Sequence, residues 1–284
     1  MESERLDKTT ARSESLLVLS AGRSSALLWK DLWRFRELLA FLAWRDVLLR
    51  YKQAAFGIGW ALLRPVLTML VFTLIFRRVV EVEASSVPYP LFALCGMLVW
   101  QFFSGCVADA AQSLVSNTSL VTKVFFPRLI LPASTTLVNL LDFAVTLALF
   151  AGLWLFYGTP SLGPLWALPG VLLWMLGLAL GVGFWLSSAT VRYRDVKFLV
   201  PFGLQLGLYA SPIGYPISAL PEKFRFWAYL NPLSGLVEGF RWCFFGSSPA
   251  DAHGVWLSLG VSVFLLLSGF VFFRKMEDSF ADII

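Results

Sequence analysis

The sequence predicts an all-α integral membrane protein: six transmembrane helices, an N-terminal amphipathic helix in the interface, and two short outer helices re-entering the membrane between helices five and six. Three observations carry that prediction. Of 284 residues, 58% are hydrophobic and only 14% charged, with a mean hydropathy of +0.73; soluble domains carry about 25% charged residues. The apolar residues gather into six runs, each near spanning length. Lysine and arginine crowd one side of those runs.

Residues 1–30 read as a polar cytoplasmic segment; the apolar patch Leu16–Leu19 is too short for the core of a secretory signal. Residues 31–56 read as the interface helix. At about 100° per residue, Phe35, Leu38, Leu39, Leu42 and Leu49 share one face. Lys30, Arg34, Glu37, Arg45 and Lys52 cluster on another, with Asp46 fitting neither. Such a helix lies at a bilayer surface with its basic side chains reaching toward lipid phosphates. Gly57 and Gly59 then supply an elbow into the first span.

A spanning helix needs about 20 mostly apolar residues to cross a hydrocarbon core of about 30 Å. The runs at 57–77, 90–110, 131–157, 165–190, 198–217 and 255–273 meet that need and define a transmembrane domain over 57–273, followed by a cytoplasmic tail over 274–284. Between the fifth and sixth runs, PEKFRFWAYLNPLSGLVEGFRWCFFG is too polar and too proline-broken to span, yet too aromatic for a solvated loop. Two short helices parted at Asn231–Pro232 fit it, and non-helical backbone at that depth needs protein or a wet cavity around it. Eighteen lysines and arginines fall on the side of the N-terminus and five on the other. The excess marks the N-terminal side, and with six spans both termini, as cytoplasmic. The net charge of +5 therefore reports topology and not a nucleic-acid partner.

Several chemistries are excluded. No lysine follows a glycine, so there is no phosphate-binding loop for ATP. His253 is the one histidine, no D-x-D occurs, and Cys95, Cys106 and Cys243 sit singly in apolar sequence, so neither a metal site nor a histidine-based catalytic constellation is expected. Glu81 and Glu83 read as a solvated outer loop. Asp142, in LVNLLDFAVTLAL, is the strongest intramembrane ionisable group. It is either a relay for protons or substrate, or a carboxylate bonded to Asn139 or another helix; such a group needs a partner at that depth. Asp109 and Glu238 lie nearer span ends, where water, or Arg241 three residues on from Glu238, accounts for them. Phe72, Phe76, Phe198, Phe202, Tyr209 and Tyr215 are candidates for lining a path, since aromatic faces suit the C–H face of a sugar ring.

RDVLLRYKQAAFGIGWALLRP (Arg45–Pro65) resembles the leading segment of the membrane subunit of polysaccharide-exporting ABC transporters, the type-2 ABC permease family that exports O-antigen, capsule and teichoic acid. The resemblance continues through NTSLVTKVFFPRLILP, YRDVKFLVPFGLQLGLYASPIGYP, NPLSGLVEGFR and FFRKMEDSFADII, covering nearly all of the chain beyond residue 30. It implies a non-enzymatic transport subunit in a bacterial inner membrane, working as a homodimer on a polyprenyl- or lipid-linked polysaccharide. ATP and Mg are then expected on a separate ATPase subunit and no cofactor on this chain. It assigns residues 117–130, with Lys123, Phe125, Phe126, Pro127 and Arg128, to coupling with that ATPase, together with Arg45 and Asp46 of the surface helix. It assigns 218–247, with Pro221, Asn231, Pro232, Glu238 and Arg241, to an outer gate. A permease for a drug or lipid is the alternative, and a membrane glycosyltransferase a more distant one.

Overall fold

The computed structural model describes residues 34–52, 59–78, 87–124, 126–158, 163–246, 248–249, 251–277 and 279–280. They form ten α-helices: α1 Arg36–Tyr51, α2 Gly59–Arg78, α3 Tyr89–Ser116, α4 Thr118–Lys123, α5 Ile130–Phe156, α6 Leu168–Arg192, α7 Val196–Ala210, α8 Glu222–Leu230, α9 Pro232–Phe245 and α10 Ala252–Glu277. Short 3₁₀ turns precede α6 and α8, and no strand occurs among the described residues. The fold class read from the sequence is all-helical, and so is the structure. Residues 1–30, Gly57, Glu81 and Glu83 lie outside the described residues.

Among the described residues four helices are long and apolar enough to cross a membrane: α3, α5, α6 with its preceding turn, and α10. The first and fifth predicted spans become α2, whose apolar part is Pro65–Ile75, and α7, which has 15 residues. At about 1.5 Å per residue α7 is about 22 Å long, short of a hydrocarbon core. The sequence SPIGYP ends it: Ser211 is extended, and Pro212, Gly214 and Pro216 do not continue a helix.

α3 is the centre of the bundle. In its apolar window 78% of residues are buried, against 17% for α10 at the periphery. Small residues on α3, among them Ala93, Cys95, Gly96, Cys106, Ala110 and Ala111, let neighbouring helices approach closely. α5 and α6 pack along it, α2 and α7 also lie against it, and α9 covers part of its length. The α6–α10 contact uses the same device. A Cβ on Gly181 would stand 2.6 Å from the Leu266 backbone, and one on Gly269 would strike the Gly181 carbonyl.

The segment between α7 and α10 forms two helices, as the Asn231–Pro232 break predicts. Asn231 caps α9 by accepting from the Leu233 N–H at 3.1 Å, with Pro232 at the first helical position, where its missing N–H costs nothing. Gly246, with φ of +64°, closes α9 in the left-handed region. α9 is buried nearly throughout, while α8 leaves Phe224, Phe226 and Trp227 exposed.

A second apolar cluster sits at the other end of the bundle. Leu42 of α1, Phe126, Leu129 to Leu131, Phe184 of α6, and Phe273, Met276 and Phe280 of the C-terminal region pack together. This cluster binds α1 and the C-terminal end of α10 to the corner that follows α4.

Candidate functional site

α1 ends beside α5, and its last turn carries Arg50 and Tyr51. Arg50 reaches two other helices at once. Its guanidinium pairs with Asp109 of α3 and, at 2.6 Å, with Asp142 of α5. Asn139, one turn before Asp142, donates to Asp109 at 2.7 Å, and the Tyr51 hydroxyl donates to Asp142. Five side chains from three helices thus form one hydrogen-bonded cluster. Each charged member is about one-third exposed: 33% for Arg50, 35% for Asp109 and 30% for Asp142. Burial works to lower the Arg50 pKa, but the two carboxylates outweigh it and hold the guanidinium above its ordinary value.

The cluster forms one wall of a cavity of about 730 Å³. Pro65 and Thr68 of α2, Trp100, Gln101 and Ser104 of α3, Phe143 of α5, and Leu204 and Leu208 of α7 complete much of the lining. The cavity is half-open, lying on the flank of the bundle where α2 and α7 stand either side of α3. The outward faces of those two helices are apolar: Leu67, Leu70, Val71 and Leu74 on α2, and Phe198, Phe202, Leu206 and Tyr209 on α7, are all exposed. Phe198 and Tyr209 are each 68% exposed, so they face outward and not into the cavity. Phe72 is half-buried against the core, Tyr215 is half-buried, and the Phe76 side chain lies outside the described residues.

The residues expected to couple to an ATPase divide in two. Lys123 and Val124 are exposed. Phe126 is only 6% exposed and belongs to the second apolar cluster, while Pro127 and Arg128 are half-buried and Phe125 lies outside the described residues. Arg128 donates to the Glu277 backbone carbonyl, and its own N–H meets the Glu277 carboxylate at 3.0 Å. Arg45 pairs with Asp46 at 2.7 Å and donates to Asn117, at the α3–α4 corner, at 2.9 Å.

In the segment between α7 and α10, Arg241 and Glu238 make hydrogen bonds to different partners, while Glu238 still acts electrostatically on Arg241. The buried Arg241 donates to the Pro212 and Ile213 carbonyls at 3.0 and 2.6 Å, with its guanidinium 3.6 Å from the centre of the Phe92 ring. Glu238 instead accepts from the Tyr229 hydroxyl. The reason is the turn after α7, which leaves backbone carbonyls without helical partners beside Arg241. Pro221 stands at the N-terminus of α8, where its carbonyl accepts from the Phe224 N–H at 2.9 Å.

Sequence reasoning missed the role of Arg50 and the engagement of Asp109. One signal was present: two acids on apolar helices require a cation, and Arg50 is one of three basic residues without a neighbouring acid, with Lys52 and Arg64, at the first apolar run. No group of three or more metal-ligating side chains occurs among the described residues.

Four membrane-length helices among the described residues, with a cavity of mixed polar and apolar lining on the bundle's flank, define the class of multi-pass helical membrane proteins. Comparison with known families narrows the class: residues 37–245 match the ABC-2 type transporter family, and the chain belongs to it. Its sequence is 31% identical over 255 residues to the O-antigen export system permease protein RfbA of Myxococcus xanthus, covering 89% of this chain and 97% of that one. A Klebsiella pneumoniae protein of the same name is 27% identical over 249 residues, covering 87% and 95%. The capsule polysaccharide export inner-membrane protein CtrC of Neisseria meningitidis serogroup B is 24% identical over 260 residues, covering 88% and 94%. These relatives are named as transport proteins, and none is named for an enzymatic activity.

Proposed function

We propose that this chain is the transmembrane subunit of an ATP-driven exporter that moves a lipid-linked polysaccharide out of the cytoplasm across a bacterial inner membrane. The observation that carries the reading is the half-open cavity. It pairs hydrogen-bonding groups with Trp100 and Phe143, a combination suited to sugar hydroxyls and ring faces. A second copy of the chain, set against the exposed apolar faces of α2 and α7, closes the cavity into a path between protomers. Contiguous exposed apolar surface of this kind marks contact with lipid or another chain. Phe198, Phe202 and Tyr209 then belong to the dimer seam or the path along it.

In this reading α2, and α7 together with the Ser211–Pro216 turn, complete six spans, and both termini lie in the cytoplasm on the side of the basic excess. Two separate ATPase subunits, holding ATP and Mg, dock below α4. Lys123 and Val124 present the contact, with Arg45 and Asp46 steadying α1 against the same corner. Phe126 and Arg128 carry the push inward through the second apolar cluster. α8 and α9 form the outer end of the path, and Arg241 fixes the turn after α7.

The test is deletion and complementation in the parent cell. Loss of the chain is expected to remove surface polysaccharide while lipid-linked polymer accumulates on the cytoplasmic side, and its return restores both. Normal surface polysaccharide in the deletion strain, with a changed sensitivity to drugs or a changed outer-leaflet lipid content, contradicts this reading and favours a drug or lipid permease.

A further inference from the structure

The cavity beside Arg50 is not the only space it borders. A second chamber, of about 690 Å³, lies beneath α1 toward the α3–α4 corner. Gln112, Ser113, Ser116, Asn117 and Thr135 give it a lining rich in hydroxyls and amides. The two chambers share three lining residues: Arg50, Ala108 and Asp109. Ala108 contributes only a methyl group, so the polar groups that border both spaces are the heads of Arg50 and Asp109.

We infer that the Arg50–Asp109 pair, backed by Asp142, is an inner gate dividing a continuous passage that runs beneath α1 from the α4 corner into the cavity. Three features suit a gate better than a fixed strut. The closure consists of side-chain heads, which move by rotamer change and need no backbone displacement. Each partner of the pair is about one-third exposed, so breaking it is less costly than breaking a fully buried pair. Asp142 holds the same guanidinium at 2.6 Å, which gives Arg50 a second acceptor when it leaves Asp109. The gate is also tied to the corner: Arg45, five residues earlier on α1, donates to Asn117 at 2.9 Å. A shift of that corner therefore reaches the gate through about 7.5 Å of one helix.

The lining on both sides of the gate suits a hydroxyl-rich chain, since amides, hydroxyls and carboxylates offer alternating donors and acceptors to sugar hydroxyls. Gln101 carries a buried amide nitrogen with no hydrogen-bond partner inside the cavity wall. The occupant rests on the polysaccharide reading; the gate itself does not.

The test uses the full chain with its partner ATPase in inside-out membrane vesicles. Cys95, Cys106 and Cys243 are replaced, and Ser104→Cys in the inner cavity is labelled by an impermeant thiol reagent. Arg50→Ala is expected to speed labelling roughly tenfold or more, since a two-state gate keeps its minor form at about 10% or less. Arg50→Lys, which keeps the charge, is expected to stay close to the parent rate. A cysteine at Ser116, in the chamber toward the α3–α4 corner, is expected to label equally in all of them. Equal labelling of Ser104→Cys with and without the Arg50 charge overturns the gate. Should Arg50→Ala fail to assemble, Asp109→Asn with Asp142→Asn carries the same expectation and the same contradiction. A soluble oligosaccharide from the cell's own polysaccharide should slow Ser104→Cys labelling in the open variant. If labelling follows the gate but no oligosaccharide protects, the polysaccharide reading fails and the gate stands.

Discussion

Arg241 and Phe126 are the two residues at which position in the chain and position in the fold differ most in meaning. Arg241 sits where a helical ion pair with Glu238 was expected, yet it holds the Pro212 and Ile213 carbonyls and stacks on Phe92. A hydrogen bond to a charged group is worth about 1.5–3 kcal/mol, so Arg241→Met should lower the thermal stability of the purified protein by about that much per bond lost. Arg241→Lys should recover only part of it, because an ammonium lacks the planar fork. If Glu238→Gln proves as damaging as Arg241→Met, the two act as a pair and the clamp is misassigned. Phe126 reads as an exposed coupling aromatic in sequence, but is buried with Phe273 and Phe280. Phe126→Ala should therefore cost about 3–5 kcal/mol of stability, measured by unfolding of the chain alone in detergent. Unchanged stability with loss of ATPase co-purification would make Phe126 a docking residue after all.

At the scale of elements, the four long helices were legible because each is a long apolar run with few charges, and the α8–α9 break because Asn231–Pro232 stops one helix and starts the next. α7 was overextended in the sequence reading, since Ser211–Pro216 is apolar enough to pass for the end of a span while its prolines and glycine break the helix. The site was less legible. Arg50, Asp109, Asn139 and Asp142 are spread over more than 90 positions of sequence, and only the packing of α1 on α5 and of α5 on α3 brings them together. The α6–α10 seam offers a test of that packing. Gly181→Val or Gly269→Val inserts side-chain atoms where even a Cβ has no room, and overpacking of this kind costs about 1–3 kcal/mol. Each should lower the melting temperature and the yield of folded protein, whereas Gly260→Ala, with nothing within 4 Å of its added Cβ, should not. Equal tolerance at all three positions would contradict the seam.

For the whole molecule, two expectations follow from membrane physics. Single cysteines at Ser86, Ser161 and Ser247, positions outside the described residues, should label from outside intact cells, and one at Ser3 should not. Labelling at Ser3 would reverse the orientation that the basic residues set. The exposed apolar faces of α2 and α7 also predict self-association, so cysteines introduced at Phe202 in two copies should crosslink in membranes, and Trp256→Cys on peripheral α10 should not. The central claim is transport itself. The chain and its ATPase would be reconstituted in proteoliposomes with the ATPase outside, lipid-linked glycan added to the outer leaflet, and glycan accessibility to an added glycosidase followed with time. The account predicts ATP-dependent protection of the glycan that a catalytically dead ATPase abolishes. ATP hydrolysis that continues at full rate while the glycan stays fully digestible would contradict it.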